Sequence, residues 1–181
     1  MLIDAHRSQL LVVDIQKKLL PAIHDHATVV ASVVWLIRAA QKIGVPVAAV
    51  EQYPKGLGST VDAVRDLLPD GAIAQKNRFS AVAAECLSTL PGAERAQVVM
   101  VGIETHVCLL QTALELMEEG KEVYVVADAV GSRRQADRDF ALARMRQEGI
   151  RIVSREMVVF EWLGEAGTPL FRDVNRDLLR G

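Results

Sequence analysis

Six short runs of aliphatic residues with almost no polar alternation limit what this chain can become: Leu10–Val13, Val45–Val50, Ala72–Ala74, Val98–Val101, Val123–Val126 and Ile150–Val153. A strand that leaves one face in water alternates apolar and polar residues. Continuous runs require both faces to be covered. The intervening stretches supply the cover. Ala27–Ile43 has helical spacing on Val30, Val33, Val34 and Ile37, and Gly44 closes it as a left-handed cap. Further helices are expected over Val61–Leu68, from a Ser80 cap to Leu90, and over Thr105–Glu119, Gln135–Glu148 and Met157–Leu163. Strands alternating with helices imply right-handed βαβ units. The expected fold is α/β: a three-layer α/β/α sandwich on a six-stranded, mainly parallel sheet, formed by residues 1–181 as one domain. In such folds functional groups lie beyond the C-terminal ends of the strands.

Composition narrows the function. The net charge is −2 and aromatic residues make up 4%. That leaves no basic excess to neutralise phosphates and few rings on which bases can stack, so nucleic acid is not the expected partner. No apolar run approaches the roughly 18 residues of a membrane span, and the N-terminus lacks the apolar stretch of a signal peptide. Two cysteines, Cys86 and Cys108, do not make a disulfide framework. A cytoplasmic protein with free thiols is the expectation.

Three strand ends carry chemistry. Asp14 directly follows the first run, where a carboxylate either caps the next segment or serves as an acid/base. Lys76 follows the third run, as a solvated charge or a cation pointing into the crevice. Cys108 lies in the first turn of the helix after the fourth run, where a helix N-terminus and a nearby lysine would depress its pKa and make it nucleophilic. Cys86, among Ala83, Ala84 and Leu87, reads as mid-helix core.

The segments Leu10-Leu11-Val12-Val13-Asp14-Ile15-Gln16, the stretch around Lys76, and Val101-Gly102-Ile103-Glu104-Thr105-His106-Val107-Cys108 together resemble the isochorismatase-like cysteine hydrolases. Ala127–Arg133 and Phe160–Gly164 extend the likeness across residues 8 to 170. The segment Glu51–Gly58 resembles a subgroup of isochorismatase-domain hydrolases whose functions are poorly defined. The resemblance implies an Asp14–Lys76–Cys108 triad, a cis peptide at Ile103-Glu104, and an oxyanion hole formed by the Glu104 and Cys108 N–H groups. It also implies a small-molecule substrate and a homo-oligomer. Gln52, Tyr53 and Phe79 are the candidate substrate-binding residues.

The sequence also departs from relatives in the family. Nicotinamidase-type members carry an Asp-x-His metal motif after the second strand, where this chain has Glu51-Gln52-Tyr53. No histidine occurs between His26 and His106, so neither metal nor cofactor is expected. Glu51 reads as a lone ligand or a solvated carboxylate. True isochorismatases lack the cysteine. His106, two residues from Cys108 on a helix, is expected on another face, and Arg133 either supports Asp128 or is solvated. The leading function is a metal-independent hydrolase that cleaves an amide-type C–N bond through a thioester. The alternatives are a nicotinamidase-like amidase and a non-catalytic oligomeric scaffold.

Overall fold

A computed structural model describes residues 1–180. All six strands form and pair in parallel in one sheet, ordered β3-β2-β1-β4-β5-β6. They are β1 (Ser8–Val13), β2 (Val47–Gln52), β3 (Ile73–Lys76), β4 (Gln97–Ile103), β5 (Glu122–Gly131) and β6 (Arg151–Val153). The uninterrupted aliphatic runs split between two cores by the period-2 geometry of strands. Leu10, Val12, Val99 and Val101 face one core, which is closed by α1 (His26–Ile43) and other helices. Leu11, Val13, Val98 and Met100 face the other. This second core is closed by α4 (Leu110–Glu118) and α5 (Gln135–Gln147).

The short helices α2 (Pro54–Leu57) and α3 (Asp62–Arg65) fill the β2–β3 connection, so the helix expected over Val61–Leu68 shrinks to one turn. On the first face, α6 (Arg155–Leu163) buries Val158, Val159 and Trp162 while Met157 and Phe160 stay exposed. After it come α7 (Pro169–Val174) and a wide helical turn over Asn175–Leu179. Among the described residues, no helix is long and apolar enough to cross a membrane.

The helix expected over Ser80–Leu90 does not form. Ser80 Oγ does accept from Val82 N and Ala83 N, as a cap would. Outside acceptors hold the same first turn, whose N–H groups have no partner within a helix in any case. Thr112 Oγ1 accepts from Ala81 N, and the Glu115 carboxylate accepts from both Ala83 N and Ser80 Oγ. Glu85 then turns to φ 53°. Irregular turns result, and Cys86 is a half-buried thiol near the second core rather than a mid-helix residue.

Gly102 is the glycine on which the site depends. At φ 119°, it would place a Cβ 2.1 Å from the Val13 carbonyl oxygen and 2.7 Å from Val13 N. Only a residue without Cβ lets β4 approach β1 this closely beside Asp14.

Candidate active site

β1 and β4 are adjacent, and β1 is also the strand at which the order reverses, so a crevice opens above their C-terminal ends. Asp14 leaves β1 at φ 53°, with its N–H bonded to Val50 O. It caps no helix. Lys76 ends β3, two strands away, and is not a surface charge. Its Nζ lies 3.0 Å from Asp14 Oδ2, with both side chains fully buried. Gln52, at the end of the intervening β2, accepts from the same ammonium through Oε1 at 2.7 Å. The Cys108 thiol lies 4.0 Å from that oxygen. Gln52 thus touches both the cation and the sulfur.

Gln52 is itself held. Gln16 Oε1 accepts from Gln52 N at 2.7 Å, and Gln16 Nε2 donates to Gln52 O and Gly58 O. Glu51 is neither solvated nor a free ligand. It is buried, and its Oε1 accepts from Thr60 N at 2.6 Å and from Thr60 Oγ1 at 2.8 Å, which fastens the β2–β3 connection to the sheet.

The turn that carries Cys108 is wider than an α-helical one. Leu109 N reaches back five residues to Glu104 O, and α4 proper begins only at Leu110. Wide turns of this kind recur at functional sites. The opened turn brings His106 into the same cavity as Cys108, against the expectation of a separate face. His106 Nδ1 is tied to Ser132 Oγ at 2.9 Å. The Ile103–Glu104 peptide bond is cis.

The electrostatics reverse one expectation. Burial pushes the Asp14 carboxyl above its ordinary value, against the opposing pull of Lys76. The Cys108 thiol is not depressed. Burial, and next the neighbouring Asp14 charge, push it up to about 12, outweighing Lys76. The cation expected to stabilise a thiolate is engaged with Asp14, so the resting sulfur carries its proton. Burial also raises the Cys86 thiol.

The cavity over Cys108 has a volume of about 500 Å³. Gln52 and Phe79 line it, and so do Leu19, Leu57, Glu104, Val107 and Arg133. Tyr53 instead lines a neighbouring cavity with Lys55, Asn77 and Arg78. Arg133 does not reach Asp128. Its guanidinium pairs with Glu104 Oε1 at 3.0 Å, while Asp128 pairs with Arg155. Sequence reasoning misses the Glu104 side chain because its partner lies 29 residues away and no local pattern links them.

The isochorismatase domain matches residues 8–157. Isochorismatase domain-containing protein 1 of Salmo salar is 40% identical over 164 residues, 89% of this chain and 57% of that protein, so the chain spans little more than half the relative's length. The secreted isochorismatase effector Isc1 of Phytophthora sojae is 36% identical over 178 residues, 94% of this chain and 84% of its own. Among solved structures, the MAR1 ribonuclease of Caenorhabditis elegans matches with a TM-score of 0.88 at 35% identity, covering 99% of this chain and 93% of that one. With a domain match over most of its length and relatives at this level of identity, the chain belongs to the isochorismatase-like hydrolase family.

Proposed function

We propose that this protein is a metal-independent cysteine hydrolase that cleaves the C–N bond of a small amide, with Asp14, Lys76 and Cys108 as its catalytic residues. The observation that carries the reading is the buried Asp14–Lys76 pair, joined through Gln52 to the only thiol lining the cavity among the described residues. A buried ion pair contributes little to stability, and strongly perturbed groups in a cleft mark reactive sites.

Because the thiol rests protonated, attack and proton transfer are coupled. Asp14 takes the thiol proton as Cys108 Sγ bonds to the amide carbon and the C=O electrons move to oxygen. The oxyanion sits at the Glu104 and Cys108 N–H groups. No hydrogen bond among the described residues uses the Glu104 N–H, which leaves it available to that oxygen. The intermediate collapses, the C–N bond breaks, and Asp14 returns the proton to the departing nitrogen. Water then attacks the thioester and gives its proton to Asp14, and the acid leaves as Cys108 regains its hydrogen. Lys76 holds Asp14 in place and balances its charge throughout.

The test is ammonia release from a panel of small primary amides, nicotinamide included, with mass spectrometry of the Cys108 peptide. The expected result is turnover by the wild type, an acyl adduct on Cys108 and no turnover by Cys108→Ala. Undiminished turnover by C108A would refute the mechanism. Silence across the panel would favour a scaffold. The ribonuclease name of the C. elegans neighbour supplies a second arm: RNA cleavage that survives C108A would point away from acyl chemistry. A free-thiol mechanism suits a reducing compartment such as the cytoplasm. The exposed Phe140, Met157 and Phe160 suit burial in a homo-oligomer.

A further inference from the structure

One residue that lines the Cys108 cavity carries an acceptor that the mechanism leaves unused. Glu104 lines the cavity, and the residue is only 6% exposed. Its Oε1 accepts from Arg133, but its Oε2 is buried and has no hydrogen-bond partner among the described residues. A carboxylate oxygen withdrawn from water without a donor is costly, and a ligand that brings a donor relieves the cost.

Other polar groups around the cavity have protein partners, with His106 Nε2 left over. Gln52 Oε1 is held by Lys76, His106 Nδ1 by Ser132, and the Arg133 guanidinium faces Glu104. Arg134 and Asp137, also on the lining, offset one another in formal charge. The remaining walls, Leu19, Leu57, Phe79 and Val107, offer only apolar contact. Glu104 Oε2 is therefore the one buried carboxylate oxygen carried by the lining residues that has no partner among the described residues.

We propose that Glu104 is the specificity-determining residue of this cavity, selecting small amides that carry a second hydrogen-bond donor (an amino, hydroxyl or further amide N–H) and rejecting those with an anionic group in its place. The inference rests on the Cys108 reading above and deepens it by naming the substrate class. A site built to pair a donor discriminates strongly against analogues that lack one, because its own polar atom is then left unpaired.

Alkylation of Cys108 tests this without knowledge of the substrate. Iodoacetamide and iodoacetate are nearly equal in size, but the first presents N–H donors where the second presents a carboxylate. Rates would be read by mass spectrometry at pH 9, with Cys86 in the same molecules as the reference. In the wild type, the iodoacetamide-to-iodoacetate rate ratio at Cys108 is expected to exceed that at Cys86 at least tenfold. Glu104→Gln keeps an oxygen for Arg133 and puts an amide N–H in place of the unpartnered Oε2, so the ratio should fall at least tenfold.

A ratio that E104Q leaves within twofold of the wild type would overturn the proposal. If E104Q does not fold, Arg133→Gln serves instead. It removes the cation facing Glu104, and the ratio is expected to rise at least threefold, an unchanged ratio again overturning the proposal. Failure of both reagents to label Cys108 in the wild type would remove the nucleophile itself. That outcome refutes the underlying catalytic reading and this inference with it, and it is distinct from labelling without selectivity, which refutes the inference alone.

Discussion

Replacing Lys76 with methionine keeps most of the side-chain volume and removes the charge 3.0 Å from Asp14 Oδ2. The variant retains a fully buried carboxylate whose Oδ1 already has no partner. Breaking a buried pair by deleting one member costs about 3–5 kcal/mol, because the survivor cannot return to water. Asp14 has one escape, which is protonation. Holding a carboxyl of ordinary pKa 3.8 protonated at pH 8 costs roughly 5.7 kcal/mol at 1.36 kcal/mol per pH unit, so the penalty has a ceiling close to the empirical range. At pH 5.5 the same ceiling falls to roughly 2.3 kcal/mol.

The sign comes from the direction of the shift. A carboxyl raised in the folded state contributes stability that is present below pH 3.8 and lost as pH rises through its folded value. Lys76 now opposes that rise, and without it the loss extends further up the pH scale. The K76M deficit should therefore grow from about 2 kcal/mol at pH 5.5 to about 3–5 kcal/mol at pH 8. Urea unfolding followed by fluorescence of Trp35 and Trp162 measures it at both pH values. At pH 8 the loss corresponds to a melting temperature lower by roughly 6–20 °C. Asp14→Asn added to K76M removes the stranded charge and should recover more than half of the loss. A K76M protein as stable as the wild type at pH 8, or a double variant no better than the single one, would refute the account.

The raised thiol gives a counterintuitive result in Asp14→Asn. The Asp14 charge is the second largest cause lifting Cys108 to about 12, so D14N should lower the thiol pKa and speed iodoacetamide labelling at pH 8–9 even as amide turnover vanishes. Slower labelling, read by mass spectrometry, would contradict this. In the wild type, labelling of Cys108 should still be rising with pH above 9, and a plateau below 8 would refute burial as the force that lifts this thiol. Gly102→Ala drives a Cβ into Val13 backbone at a φ that other residues avoid, and about 2–5 kcal/mol of stability should be lost in denaturant unfolding. Glu51→Ala orphans the buried Thr60 N–H and should cost about 1–3 kcal/mol in the same assay, chiefly by freeing the β2–β3 connection.

Short apolar runs carry most of the legible information in the sequence. Asp14, Lys76 and Cys108 stand out because each lies at or just beyond the end of such a run, and the structure brings all three to one crevice. Contacts distant in sequence set the features that stay hidden. Ser80 does cap a turn, which Glu115 and Thr112 hold from outside, but Glu85 leaves helical geometry at φ 53° and no helix forms. α-Helical spacing puts His106 on another face, and a single widened turn moves it to the cavity. Charge proximity, which is legible, argues for a depressed thiol. Burial, which is not legible, and next the Asp14 charge beside the sulfur raise it instead, outweighing Lys76.

The strand order explains why a lysine, and no shorter cation, stands at position 76. β3 and β1 are separated by β2, two strand spacings or roughly 9.6 Å. A side chain at the end of β3 must cross the end of β2 to reach Asp14. Lysine has the length for the crossing, and Gln52 at the end of β2 accepts from its ammonium on the way. Gln52 in turn is fixed in both backbone directions by Gln16, two residues beyond Asp14 on the β1 side. The ammonium, the carboxylate and the thiol are thus aligned by one glutamine held by another. Gln16→Leu should misplace Gln52, leaving Gln52 N, Gln52 O and Gly58 O without this partner while every proposed catalytic residue remains. Turnover should fall at least tenfold with Cys108 still titrating near its wild-type value. Unchanged turnover in Q16L would show that Lys76 and Asp14 find each other without the bridge.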